Sequence, residues 1–289
     1  MSQPITAKMV AELRARTGAG MMDCKAALQE ADGDMEKAVE ILRKKGMARA
    51  DKRSDRGASQ GLVVIESATS GQDAAMIELN CETDFVAKNE DFITLARDLA
   101  KHALQHAPQG VHPGSALESQ RFRAGTVAEA IKEVSGKTGE AMALKRVAHF
   151  HHTGGTVGHY LHHNGQSGSL VEMEGTRGEA VTALGRDLAQ HVTATDPIGV
   201  SEADIPADVL ARERRIAEEQ VAQEKKPEQI RGKIVDGKLK KFVAERTLLG
   251  QAFVRDDSKT VAELVKEAAK AAGGAVTVTR IARFKVGEG

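Results

Sequence analysis

Two stretches of this sequence repeat each other, and that repeat confines most of the chain to a fold built twice. Residues 126–150 and 260–284, offset by 134, agree at 11 of 25 positions. Leu95-Ala96-Arg97-Asp98-Leu99-Ala100-Lys101-His102 matches Leu184-Gly185-Arg186-Asp187-Leu188-Ala189-Gln190-His191 at offset 89. Each copy reads in the same order. A hairpin comes first (62–67 with 74–80; 157–161 with 169–174), its turns marked by Ser70-Gly71 and Asn164-Gly165. A long helix (92–104; 178–194), a second helix (126–135; 260–271) and a final strand (141–150; 275–286) follow. The expectation is an α+β core of two subdomains, 61–150 and 151–289. Each is a three-stranded antiparallel sheet with helices on one side.

The copies differ in two places. Ile77-Glu78-Leu79-Asn80 matches Val171-Glu172-Met173-Glu174 at offset 94, against 89 for the helices that follow, so Cys81–Asp91 holds about five residues that copy two lacks. Copy two in turn carries 45 extra residues between its helices. That insertion places Pro206 at a helix start, runs through Val209, Leu210, Ile216, Ala217 and Val221, turns at Lys225-Lys226-Pro227, and returns through Ile230, Ile234, Leu239, Phe242 and Val243. Each helix is amphipathic with a charged outer face, so an antiparallel coiled-coil arm over 206–246 is expected. Such an arm would contact a second copy or a partner.

Residues 1–46 read as three short helices. Thr6 and Asp34 suit N-caps, and Thr17-Gly18-Ala19-Gly20 and Ala31-Asp32-Gly33-Asp34 suit the turns. Met21 and Met22 follow the first turn, where adaptable side chains could face a partner. The charged stretch 47–60 lacks an apolar face and reads as a linker.

Composition narrows the function. Lys+Arg and Asp+Glu both number 41, which argues against a dedicated nucleic-acid binder. With 3% aromatic residues and no Trp, base-stacking platforms are not expected. Cys24 and Cys81 form no CxxC pair. The N-terminal residues lack the apolar core of a signal peptide, and no run approaches the roughly 18 apolar residues of a membrane span. A soluble, cytoplasmic protein is expected, with no cofactor and no metal.

The extra segment of copy one contains Thr83-Asp84-Phe85-Val86, followed by Asn89, which can cap the next helix. Phe85 has two readings. It can fold back into the core, or it can stand out beside Asp84 as a wedge for another protein. The absence of this segment from copy two favours the wedge, since the subdomain is built without it.

Thr17-Gly18-Ala19-Gly20-Met21-Met22-Asp23-Cys24-Lys25-Ala26-Ala27-Leu28 resembles the N-terminal signature of the elongation factor Ts family. Thr83-Asp84-Phe85-Val86-Ala87-Lys88 resembles its second signature, and Val286-Gly287-Glu288-Gly289 the end of its core. The resemblance implies a ubiquitin-associated-like N-terminal bundle, a duplicated core and a coiled-coil arm. It implies a nucleotide-exchange factor, with no catalytic chemistry of its own, that binds GDP-bound and nucleotide-free elongation factor Tu. On this resemblance Thr83, Asp84, Phe85 and Val86 dislodge the Mg²⁺ of the GTPase. Arg14, Met21, Met22 and His162 make further partner contacts. Some family members continue past the Val-Gly-Glu-Gly stretch with a helix; its contacts are not expected here.

Two rival readings compete. His149, His151, His152, His159, His162 and His163 lie on two predicted strands, and His149 and His151 share a face, as a zinc site would need. The alternative is a polar surface hairpin. The basic residues of 47–56 could touch RNA, or simply form a solvated face.

Overall fold

The computed structural model describes residues 4–53, 55–224 and 227–288. In chain order it contains α1 (Ala7–Thr17), α2 (Met21–Glu30), α3 (Met35–Asp51), β1 (Gln60–Ser67), β2 (Asp73–Cys81), α4 (Asp84–Ala87) and α5 (Glu90–His106). Then come β3 (Gly110–Pro113), α6 (Ser115–Glu118), β4 (Arg121–Phe122), β5 (Gly125–Thr126), α7 (Val127–Thr138) and β6 (Met142–His151). The rest is β7 (Gly155–Leu161), β8 (Ser167–Gly175), α8 (Glu179–Thr195), α9 (Ala207–Gln223), α10 (Glu228–Arg246), β9 (Ala252–Phe253), β10 (Asp256–Thr260), α11 (Val261–Ala272) and β11 (Val276–Lys285). Contacts divide the chain into two units. One comprises 1–64, 77–147 and 285–289, the other 65–76 and 148–284.

In the first unit the three N-terminal helices start where their caps place them. Thr6 accepts from the Met9 N–H, and Asp34 from the N–H groups of Glu36 and Lys37. Val10, Leu13, Cys24, Ala27, Leu28 and Ala38 close a small core among them. Two details depart from the sequence reading. The segment expected as a linker over 47–60 is helical as far as Asp51, because α3 packs along α7. The two backbones approach at Gly46 and Gly136; a Cβ on Gly136 would sit 2.8 Å from the Gly46 carbonyl carbon. Ion pairs Arg43–Glu133 (3.4 Å) and Lys132–Asp51 (2.7 Å) flank the crossing. Ser54 lies outside the described residues.

The second departure is a fourth strand. The sheet runs β1-β2-β6-β3, with β3 at its edge, where three strands were expected. With Val111 about half exposed, β3 has no alternating apolar signal, and its Pro113 is tolerated because an edge strand leaves one N–H position unpaired. Helix α5 buries Phe92, Leu95, Ala96, Leu99 and Ala103 on one stripe, and α7 is closed by a capping box between Thr126 and Glu129.

The second unit repeats the plan. Its sheet runs β11-β8-β7, with β7 and β8 antiparallel from Gly155↔Glu174 to Leu161↔Gly168. Helices α8 and α11 supply Val181, Leu184, Leu188, Val192, Val261 and Val265 to its core. On β8, the nearly buried Glu172 receives Arg280 Nε at 2.8 Å, Arg280 Nη2 at 2.5 Å and Thr279 Oγ1 at 2.7 Å. In the first unit the fully buried Glu78 on β2 receives Arg146 Nε at 2.6 Å. The two copies thus carry the same carboxylate–guanidinium pair on corresponding strands.

The insertion folds as paired helices α9 and α10, packed through Ala217, Val221 and Val235 with Ile234 and Leu239 alongside. Ion pairs Arg214–Asp236 (3.3 Å) and Lys238–Glu224 (3.5 Å) bridge the two helices. Ile216 and Ile230, expected on the packed stripe, are instead exposed; α10 buries only Val235 among its described residues. The expected turn at Lys225-Lys226 lies outside the described residues. No described helix is long and apolar enough to cross a membrane.

Two outcomes are expected. Gly136→Ala drives a methyl into the α3 backbone and should destabilise by about 1–3 kcal/mol, exposing α3 amides to hydrogen exchange. Gly46→Ala places its Cβ at an ordinary 3.5 Å from Gly136 and should be neutral or stabilising by up to ~1 kcal/mol. Equal effects would refute the tight crossing. For the ion pair, burial pushes the Glu172 carboxyl up, but hydrogen bonds from Arg280 and Thr279 outweigh it and leave it below its ordinary 4.5. Its stabilisation is therefore present above that value and lost as pH falls through the depressed one. Glu172→Gln should cost less than the ~3–5 kcal/mol of a fully buried pair, since Arg280 keeps 39% side-chain exposure. It should also flatten the acid limb of the unfolding curve, measured by denaturant titration across pH.

Candidate functional site

The segment between β2 and α5 is eight residues long (82–89), whereas the corresponding link between β8 and α8 is three (176–178). The extra residues form α4. Thr83 is its N-cap, with Oγ1 accepting from the Val86 N–H at 3.3 Å. Asn89 then caps α5 through the Asp91 N–H at 2.9 Å, as its position in the sequence suggests. A four-residue helix has too few hydrogen bonds to hold its own shape, so its surroundings must hold it. Ala87 is buried beneath it.

Phe85 does not fold back into the core; it is 80% exposed, more than any other large apolar side chain described. Asp84 is also exposed and receives Lys88 Nζ at 2.7 Å. That hydrogen bond is the largest cause holding the Asp84 carboxyl below its ordinary 3.8, so it is ionised at neutral pH. The site thus presents an ionised carboxylate and an aromatic ring side by side at the head of a capped turn.

The support beneath the turn comes from a segment far away in sequence. Glu140 accepts the Thr83 N–H at 3.0 Å and the Thr83 hydroxyl at 2.6 Å. Glu82 in return accepts the Ala141 N–H at 2.7 Å. Cys81 donates its thiol to the Thr83 carbonyl at 3.2 Å. Burial, reinforced by the charge of Glu140, pushes that thiol up to about 12, so Cys81 is a structural donor and no nucleophile. Sequence reading did not single out Glu140. A signal existed: at offset 134 the copy without the loop has Gly274 in its place.

The other expected contact residues are placed separately. Arg14 is exposed on α1. Met21 (45% exposed) and Met22 (76%) open α2, whose other face buries Cys24, Ala27 and Leu28. Thr83–Val86 belongs to the same unit. His162 belongs to the second unit and is not on a strand as expected; it follows β7 in the hairpin turn, half-buried, with Nδ1 3.1 Å from Tyr160 Oη.

The histidines resolve into separate roles. His149 and His151 do share a face, and both reach Asp73, at 2.8 and 3.2 Å. No group of three or more His, Cys, Asp or Glu arranged to hold a metal occurs among the described residues. Three of the basic residues of 47–56, Arg49, Arg53 and Arg56, are engaged within the first unit. Arg49 forks onto Asp23 at 2.9 and 3.0 Å, and Arg56 lies 3.6 Å from Glu82.

The chain is similar in sequence to known proteins. The family model described as Elongation factor TS matches residues 82–288, beginning just after β2 at the supported loop and including the helical pair and the whole second sheet. Elongation factor Ts of Alkalilimnicola ehrlichii is 43% identical over 285 residues, covering 99% of this chain and 93% of that protein. The protein of the same name from Nitratiruptor is 43% identical over 291 residues, covering 99% and 94%. That of Chlorobium phaeobacteroides is 40% identical over 293 residues, covering 99% and 100%. The chain belongs to the elongation factor Ts family of translation elongation factors.

Proposed function

We propose that this chain is a nucleotide-exchange factor of protein synthesis that binds elongation factor Tu·GDP and releases the GDP by inserting Asp84 and Phe85 into the GTPase. The observation that carries the reading is the exposure of Phe85 beside an ionised Asp84 on a turn held from beneath. An apolar side chain kept in water costs free energy in the isolated protein, and a partner groove recovers it.

The mechanism follows from the chemistry of such nucleotide sites. Mg²⁺ bridges the phosphates and is among the largest local charges there. Phe85 opens a hydrophobic seam while Asp84 engages backbone donors near the ion. Disturbing the ligands of Mg²⁺ weakens GDP without touching the base. By linkage, GDP weakens the factor's affinity as much as the factor weakens that of GDP. The exchange step sets no preference for GTP; the cellular excess of GTP gives direction. The chain itself makes and breaks no covalent bond in this reading.

Around the loop we assign further contacts. The N-terminal helices act as a ubiquitin-associated-like docking module through Arg14, Met21 and Met22, supported by the exposure of the two methionines on a bundle whose core lies on the opposite face. His162 contacts the phosphate-loop side of the GTPase. The helical pair α9–α10 serves as a coiled-coil arm toward the partner or a second copy, supported by the exposure of Ile216 and Ile230.

Fluorescent-GDP release from elongation factor Tu tests the proposal. Wild type should accelerate release, and Asp84→Ala/Phe85→Ala should lose roughly tenfold or more, a barrier change of at least ~1.4 kcal/mol. Equal rates for the two proteins would overturn the wedge.

A further inference from the structure

We infer that Glu140 is a positioning residue for exchange: its carboxylate, clasping Thr83, sets the direction in which Asp84 and Phe85 project. This rests on the reading of Thr83–Val86 as the exchange element.

Three observations carry it. The first is the hydrogen-bond chain. Glu140 takes both donors of Thr83, its N–H at 3.0 Å and its hydroxyl at 2.6 Å. Because the hydroxyl proton points to Glu140, the lone pairs of Thr83 Oγ1 are turned to the Val86 N–H that closes α4. A charged acceptor strengthens such a chain along its length. The second is the anchoring of Glu140 itself. It follows Gly139, whose φ of 80° ends α7, and its carbonyl accepts Ser135 Oγ at 2.5 Å. Its neighbour Ala141 donates to Glu82, so the segments 82–83 and 140–141 exchange carboxylates reciprocally. The third is the internal control. In the copy without the loop, position 274 is glycine, and a Cβ there would lie 1.9 Å from Thr176 Oγ1 in the short link. The carboxylate is present in the copy that has a loop to hold; in the other copy a side chain at 274 would meet Thr176, which would have to move.

Burial cannot do this work instead. Phe85 and Asp84 are exposed, and α4 rests on Ala87 alone among its buried residues. In Glu140→Gln the charged acceptor is gone: with the amide oxygen on the Thr83 N–H, the amide NH₂ turns to the Thr83 hydroxyl and reverses that hydrogen bond, so that Oγ1 must accept from it as well as from the Val86 N–H. Small displacements of groups that must meet a partner in a defined geometry cost up to about a hundredfold in rate.

The test is GDP release from elongation factor Tu, titrated with full-length wild type, Glu140→Gln, Asp84→Ala/Phe85→Ala and the triple variant. Glu140→Gln should lower the maximal release rate by about tenfold or more. The half-saturating concentration should move less than the rate, and the triple variant should match Asp84→Ala/Phe85→Ala. A wild-type rate for Glu140→Gln, with Asp84→Ala/Phe85→Ala slow, overturns the inference and leaves the wedge standing. An equal further slowing in the triple variant also overturns it, since Glu140 would then act apart from the pair. A wild-type rate for Asp84→Ala/Phe85→Ala overturns the underlying reading itself. Glu140→Asp, which keeps the charge but retracts it by one methylene, carries the same comparisons if the Gln variant does not accumulate.

Discussion

Each half of the duplicated core is organised around a carboxylate that cannot be left alone. Glu78 on β2 and Glu172 on β8 sit where water does not reach, and each is answered by an arginine from the strand that closes its copy, Arg146 or Arg280. An unpaired charge there would cost several kcal/mol, so only a strand register that brings the guanidinium to the carboxylate is tolerated. The pair adds little net stability over a well-packed apolar replacement. Its effect is to exclude alternatives. Slipping the closing strand by one residue would send the arginine to the opposite face and strand the glutamate. Arg146 also donates to the Lys285 carbonyl at 3.1 Å, drawing the end of the chain into the first unit.

On that scaffold the first unit adds what the second does without. The sequence leaves β2 through Cys81 and makes one turn of helix before α5, and that turn has almost no core of its own. Its order is borrowed from α7 and the residues after it. The same helix receives α3 at Gly136, so one element carries both the seat of the N-terminal bundle and, just past its C-terminus, the clasp on Thr83. Two features that lie far apart in sequence therefore depend on a single helix.

Much of this was legible in advance. The alternation and spacing of apolar residues placed the paired strands and long helices of both copies, and Thr6, Asp34 and Asn89 marked helix starts that the structure uses. Local signals failed where the deciding contact was distant. The last turn of α3 looked like a charged linker because its support is α7. Strand β3 carried no pattern because one of its edges is open. Ile216 and Ile230 fit a helical stripe on paper yet stay in water, since the α9–α10 contact closes on Ala217, Val221 and Val235. His162 and His163 looked like strand residues but fall in a turn.

By itself the sequence determined the duplication, the α+β class and the place of the extra loop, because these follow from periodicity and from comparing one half of the chain with the other. It also showed Glu78 beside Glu172 and Arg146 beside Arg280 at their separate offsets, without showing that each glutamate meets its arginine. Tertiary structure decided that pairing, the exposure of Phe85 and the grip of Glu140 on Thr83. The pairing and the grip depend on which residues meet across 57 to 108 positions of chain. Burial and charge compensation act on neighbours in space, and no local spacing records who those neighbours are.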